Sequence, residues 1–180
     1  AAFHQTSKLN PDLMDAYASI LKAVSGAVLW MLEENARTIE RLRQEAERRG
    51  VAGERVVFAS RVPRRDHLNR LTLADLALDS WPCGGHTTSS DVLWAGIPLL
   101  TREGRYLASR IPASILAAAK LADLVARDTP HFIELAVRHA TDREHHQSVC
   151  RRLADQRGSC RLFDTERYTR DLERTFRRMY

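Results

Sequence analysis

The stretch GGHTTSSDVLWAG, residues 84–96, places Gly84 and Gly85 before His86 and the hydroxyl run Thr87, Thr88, Ser89 and Ser90. An apolar helical pattern follows. Glycines remove side-chain bulk, so a ligand can approach the backbone closely. The first turn of a helix leaves amides unpaired at the positive end of its dipole, which suits a phosphate. Asp91 lies four residues after Thr87 and shares its helix face. A carboxylate beside a phosphate cradle suits a ribose diol, and His86 can donate to a phosphate or sugar oxygen. A plain glycine turn with a hydroxyl cap uses the same letters, and an acid in the first turn complements the dipole without any ligand. The stretch alone leaves both readings open.

Two further groups have matching chemistry. In VPRRDHLNR, residues 62–70, Arg64, His67 and Arg70 recur every third residue and can share one helix face. Two guanidiniums and an imidazole can bind an anionic nucleotide and stack on its base; a solvated basic helix is the simpler alternative. In FHQTSK, residues 3–8, Lys8 is one of only three lysines and precedes a capped helix. Its ammonium can neutralise a pyrophosphate leaving group, or can be an ordinary exposed lysine. His145 and His146 fall on a polar helix and are expected at the surface. His131 and His139 lack ligand spacing, Cys83 reads as a small buried residue, and Trp30 and Trp94 read as core.

These groups need a scaffold, and the chain alternates short apolar runs with amphipathic patterns. Strands are expected at 27–32, 55–60, 75–80, 97–101 and 122–126, with a truncated strand before Gln5. Helices are expected from Asn10-Pro11, from Asn35 to Gly50, from Pro63 to about Leu71, and across the opening stretch to Gly96. Others are expected over 107–121, interrupted by Pro112, from Thr129-Pro130, from about Glu144, and from Asp164 to the end. Continuous apolar strands alternating with helices define an α/β fold with a doubly wound parallel sheet. Such sheets bind ligands beyond the carboxyl ends of their strands, where all three groups fall.

Composition excludes several classes. The 180 residues are 44% apolar and 28% charged, enough for a packed core in one domain. No run reaches the roughly 20 apolar residues of a membrane span. The net charge is +5, but the arginines alternate with acids, as in TERYTRDLERTFRR. A nucleic-acid surface would be more one-signed. Three cysteines without close pairing argue against a disulfide framework or zinc site and for a reducing, cytoplasmic setting.

Taken together, the blocks FHQTSK (3–8), VLWML (28–32), VPRRDHLNR (62–70), LADLALDSWPCGGHTTSSDVLWAGIPLLT (73–101), LASR (107–110) and LFDTERYTRDLE (162–173) carry a resemblance. The chain resembles the carboxyl-terminal catalytic lobe of the O-GlcNAc transferase family, in its bacterial type. The resemblance implies a Rossmann-like donor lobe of a two-lobed GT-B enzyme, spanning 1–180. The implied reaction is inverting transfer of N-acetylglucosamine from UDP-GlcNAc to Ser or Thr hydroxyls of proteins. By position, Gln5 and Lys8 bind the diphosphate and Lys8 stabilises the departing UDP. The Val62 backbone and the His67 ring hold uracil. Arg64, where the family often has lysine, lies near the ribose, and Arg70 is a second nucleotide-side arginine. His86, Thr87 and Thr88 cradle sugar and phosphate, Asp91 grips the ribose, and Cys83 lies near the N-acetyl group. His4, Ser7 and Ser89 depart from the family's usual asparagine, aromatic and glycine. No metal or other cofactor is implied. The implied partners are an amino-terminal lobe, helical repeats and a protein acceptor, with the helix at 164–180 packing toward that lobe; the lobe alone is expected to be inactive. Another GT-B enzyme such as a UDP-sugar epimerase, or a non-catalytic nucleotide-binding or interaction module, is the alternative.

Overall fold

A computed structural model describes all 180 residues. Five short strands are parallel throughout. β1 (Leu29–Leu32) pairs with β2 (Val56–Ala59), and β3 (Ala77–Leu78), β4 (Leu99–Arg102) and β5 (Val125–Ala126) follow one another. Residues 1–3 lie between the two sets and join them. Ala2 bridges Met31 and donates to the Trp30 carbonyl at 2.8 Å, while the Leu78 amide donates to the Ala1 carbonyl at 2.8 Å. The order is therefore β2, β1, residues 1–3, β3, β4, β5. The chain winds outward on one side, returns, and winds outward on the other, so the switch point lies between residues 1–3 and β3. The strand expected before Gln5 appears as this central connection.

Helices cover both faces. α1 (Pro11–Ala23), α2 (Ala36–Arg48) and α6 (Thr129–Thr141) pack as one layer; α3 (Arg64–Leu71), α4 (Thr87–Trp94) and α5 (Leu107–Ala118) form the other, and β4 touches both. Leu13, Tyr17, Leu21 and Phe132 are buried in the first layer, and Leu71, Leu93 and Leu116 in the second. The helix starts follow local chemistry. Asn10 accepts from the Leu13 amide at 3.0 Å ahead of Pro11, Asn35 from Thr38 at 2.9 Å, and Asp128 from His131 at 2.8 Å. Gly50 and Gly96 stop α2 and α4 at φ +75° and +87°, a conformation other residues rarely adopt.

Four expectations need correction. Pro112 does not interrupt α5, which runs through it and ends at Ala118. The 75–80 and 122–126 segments contribute only two ladder residues each. Trp94 is 48% exposed rather than core, and rests its ring edge-on against Phe163 at 5.0 Å. His145 and His146, on α7 (Arg143–Arg157), are half-buried against the buried His139 of α6. α8 (Thr165–Met179) starts at the Asp164 cap and buries none of its residues.

Candidate functional site

The switch point brings the first and third sequence groups together. The chain leaves the central connection at Phe3 and turns through Gln5 into a single 3-10 turn, Thr6–Lys8. On the other side, β3 ends at Leu78 and the loop from Asp79 to His86 leads into α4. The half-buried Lys8 crosses between them, its Nζ donating to the Gly84 carbonyl at 2.8 Å. Gln5 is exposed one turn before it. Cys83, half-buried and unpaired, accepts through its carbonyl from Ser80 Oγ at 2.8 Å.

The glycine turn is held on all four of its backbone groups. Besides the Lys8 contact, the Gly84 amide donates to the Ala108 carbonyl at 2.9 Å. That carbonyl would serve the residue-112 amide in a regular helix, and proline has no amide to offer. Pro112 thus remains inside α5 because Gly84 takes the bond it leaves. The Gly85 amide donates to Asp79 Oδ1 at 2.7 Å, and its carbonyl accepts from Ser89 Oγ at 2.9 Å. There is no room for side chains here. A Cβ on Gly84 would lie 2.4 Å from Pro112 Cγ, and one on Gly85 2.6 Å from Ser89 Oγ.

The hydroxyl run does not cap α4. His86 occupies the N-cap position and its side chain makes no capping bond. No side chain accepts from the amides of the first turn, and His86 and Thr87 are exposed with Thr88 half-buried beside them. The first turn of α4 is therefore open to an anion.

The second group flanks this opening, because α3 packs on α4. Arg64 Nη2 donates to Asp91 Oδ1 at 2.7 Å, with the arginine 70% and the carboxylate 16% exposed. The Asp91 carboxylate is thus aimed along the α3–α4 seam rather than into bulk water. Arg70 reaches back to the Ser60 carbonyl, and donates from Nε and Nη2 to His67 Nδ1 at 3.1 and 2.9 Å. Arginine has no acceptor, so the histidine proton sits on Nε2. Burial, then the Arg70 charge, lowers the His67 pKa, with Asp91 opposing. The neutral ring packs edge-on to Phe3 at 5.3 Å, and the Arg70 guanidinium lies 5.2 Å from the Phe3 ring centre. Val62 is 40% exposed on the loop entering α3. The structure brings Lys8 to Gly84, Arg64 to Asp91, and His67 to Arg70; the Lys8 amide also donates to the Gln5 carbonyl at 3.0 Å, and no side-chain hydrogen bond joins Gln5, Val62, His86, Thr87 or Thr88 to those pairs.

Two residues beneath the site have no role assigned by the sequence. Asp79 is 4% exposed and His4 is 5% exposed. Tyr17 Oη donates to the Asp79 carbonyl at 2.9 Å and lies 2.9 Å from His4 Nε2, while His4 Nδ1 lies 3.3 Å from the Gln5 carbonyl. Burial lowers the His4 pKa from 6.5 to about 4. The available signal was an acid and a histidine set inside apolar runs at two strand ends. No group of three or more His, Cys, Asp or Glu is arranged to hold a metal ion. An apolar cavity of about 360 Å³ lies at the other end of the sheet, bordered by Val28, Leu76 and His139, remote in kind from this polar face.

A switch-point glycine turn, an open helix start and a flanking carboxylate belong to a doubly wound α/β lobe, a class of fold whose ligands bind at such switch points. Residues 1–172 match the model of glycosyl transferase family 41, and the chain belongs to that family. It is similar to the UDP-N-acetylglucosamine–peptide N-acetylglucosaminyltransferase of Caenorhabditis elegans, 35% identical over 171 residues, covering 95% of this chain and 15% of the relative. It is also similar to the solved structure of a lysine-to-methionine mutant of the Thermobaculum terrenum O-GlcNAc transferase, at a TM-score of 0.94 and 35% identity. That match covers 99% of this chain and 35% of the other, so the lobe is a GT-B-like catalytic lobe and spans a minor part of its relatives' lengths.

Proposed function

We propose that this lobe binds the UDP-sugar donor, UDP-GlcNAc, for inverting transfer of N-acetylglucosamine to Ser or Thr hydroxyls of proteins. The observation that carries the reading is the convergence of the Lys8 ammonium and the uncapped first turn of α4 on one glycine turn. Both are positive and both are fixed before any ligand arrives, which is what a departing diphosphate needs. Asp91 then meets the ribose hydroxyls, His67 and the Val62 backbone the uracil, with Arg64 and Arg70 beside the nucleotide. Gln5, His86, Thr87 and Thr88 contact the diphosphate and sugar, and Cys83 faces the N-acetyl side.

The acceptor hydroxyl attacks the anomeric carbon from the face opposite the UDP, so the new bond forms with inverted configuration. The C1–O bond to UDP breaks, and its electron pair goes to the diphosphate, where Lys8 and the α4 amides receive it. A second lobe supplies the acceptor and completes the geometry, and the apolar stripe of α8 docks on that lobe. The countercharge comes from the protein, so turnover continues in excess chelator. The free cysteines fit a cytoplasmic location, and no helix is long and apolar enough to cross a membrane.

Calorimetric titration of UDP, UDP-GlcNAc and UDP-glucose into the full-length protein, followed by product analysis with a Ser/Thr peptide, tests this. UDP and UDP-GlcNAc are expected to bind and the peptide to gain the sugar. Absence of UDP binding, or release of an epimerised sugar nucleotide, overturns it. Lys8→Ala is expected to lower kcat about 10²–10³-fold, as loss of one leaving-group donor does, with a smaller loss of UDP affinity. A weakened UDP affinity with kcat unchanged would make Lys8 a binding group only.

A further inference from the structure

Asp79 has no partner in the donor chemistry above, yet it is the most constrained acid of the switch point. A buried carboxylate is costly unless its oxygens are bonded. Both are: Oδ1 accepts from the Gly85 amide at 2.7 Å, and Oδ2 accepts from Thr101 Oγ1 on β4. The backbone of Asp79 is fixed too, with its amide donating to the Leu100 carbonyl at 2.9 Å and its carbonyl accepting from Tyr17. The side chain therefore spans from two strands to the glycine turn without slack. A Cβ added to Gly84 would lie 3.0 Å from Asp79 Oδ2, so the turn rests directly on the carboxylate. Burial raises the Asp79 pKa; the bonds from Thr101, Gly85 and Ser80 and the charge of Lys8 pull it back down.

We propose that Asp79 is a positioning residue of the donor site: its carboxylate holds the Gly84–Gly85 turn, whose Gly84 carbonyl sets the Lys8 ammonium. It is also the buried negative charge facing Lys8 across that turn. The proposal rests on the reading of Lys8 as the leaving-group cation. Two substitutions separate shape from charge. An amide at position 79 still accepts from Gly85, and the Thr101 hydroxyl can rotate to accept from the new NH2 group. Asp79→Asn thus keeps the hook and loses the charge, whereas Asp79→Ala loses both.

The test is a mutant cycle in the full-length protein, reading kcat, donor KM, UDP affinity and the thermal midpoint for Asp79→Ala, Asp79→Asn, Thr101→Val, Lys8→Ala and Asp79→Ala/Lys8→Ala. Misplacing a reacting group by about 1 Å costs on the order of 10²-fold, so Asp79→Ala is expected to lower kcat by about that factor. Asp79→Asn and Thr101→Val are expected to lose less. Because Asp79 acts through Lys8, the double variant is expected to turn over no more slowly than Lys8→Ala. Losses that multiply in the double variant overturn the proposal. So does a lower thermal midpoint with kcat unchanged, which would make Asp79 a fold residue only. Should Asp79→Ala fail to fold, the same cycle is read on Thr101→Val with Lys8→Ala. A wild-type rate for Lys8→Ala would instead remove Lys8 from the chemistry, a separate failure seen without any change at Asp79.

Discussion

At the residue scale, the site is a set of donors and acceptors whose directions are fixed by bonds made elsewhere. His67 is the clearest case: Arg70 occupies Nδ1, so the ring can only donate through Nε2, and Phe3 limits its tilt. Asp91 is similar, since Arg64 holds one oxygen and leaves the other for a ligand. A hydrogen bond to a charged group contributes about 1.5–3 kcal/mol. Asp91→Ala is therefore expected to weaken UDP binding by about tenfold or more, measured by calorimetry on the full-length protein. An unchanged affinity would take Asp91 out of the site. These pairings could be anticipated only in part. Helical spacing put Arg64, His67 and Arg70 on one face, because a turn of helix is a local rule. Asp79 was invisible in that sense, since its partners Gly85 and Thr101 come from a loop and a strand that only the fold brings near.

At the element scale, what could be read was what sequence-local physics decides. The Asn10-Pro11 and Asn35 starts and the Gly50 and Gly96 stops stand where caps and positive φ demand. The strand lengths did not follow, because apolar runs report burial while ladders depend on a neighbour's register, and 75–80 pairs only at Ala77 and Leu78. The missing amide of Pro112 argues against a helix only locally, and the freed Ala108 carbonyl is bonded by Gly84, 24 residues earlier in the chain. The α6–α7 contact carries a pH dependence of the same non-local origin. His139 Nδ1 lies 3.3 Å from His146 Nδ1, the His145 ring is 4.8 Å away, and Arg138, Arg152, Asp123, Asp142 and Cys150 surround the cluster. Burial first, then the charges of His145, His146 and Arg138, lowers the His139 pKa from 6.5 to about 4. Unfolding therefore takes up a proton between those values. Its contribution to stability is complete above about 6.5 and is lost as pH falls toward about 4. His4 acts in the same window and the same direction. Asp79, with a raised pKa, acts oppositely and favours the fold as it protonates. His139→Leu is expected to remove roughly 2 kcal/mol of the stability lost between about pH 7 and pH 4.5, read from urea midpoints at the two pH values. An undiminished acid loss would place the dependence elsewhere.

At the scale of the whole molecule, the lobe carries a structure it cannot stabilise by itself. α8 is 15 residues long with none buried, a length at which an isolated helix is marginal in water. Its ion pairs, such as Arg167–Asp171 and Arg177–Glu173, are exposed and long, at 3.8 and 3.9 Å, and contribute little. Tyr168, Leu172, Phe176 and Met179 stand 67%, 39%, 53% and 74% exposed along one stripe. A contiguous apolar stripe of this kind marks a contact surface, and on the function proposed above a second lobe covers it. Leu172→Asp with Phe176→Asp separates this from a merely solvated helix. In the isolated lobe the pair is expected to leave the thermal midpoint nearly unchanged, since exposed substitutions stay within about 0.5 kcal/mol. In the full-length protein it is expected to lower both the midpoint and turnover while the lobe keeps its fold. Equal midpoints and equal turnover in the full-length protein would mean that α8 faces water there too, and that the two lobes are held together by other surfaces.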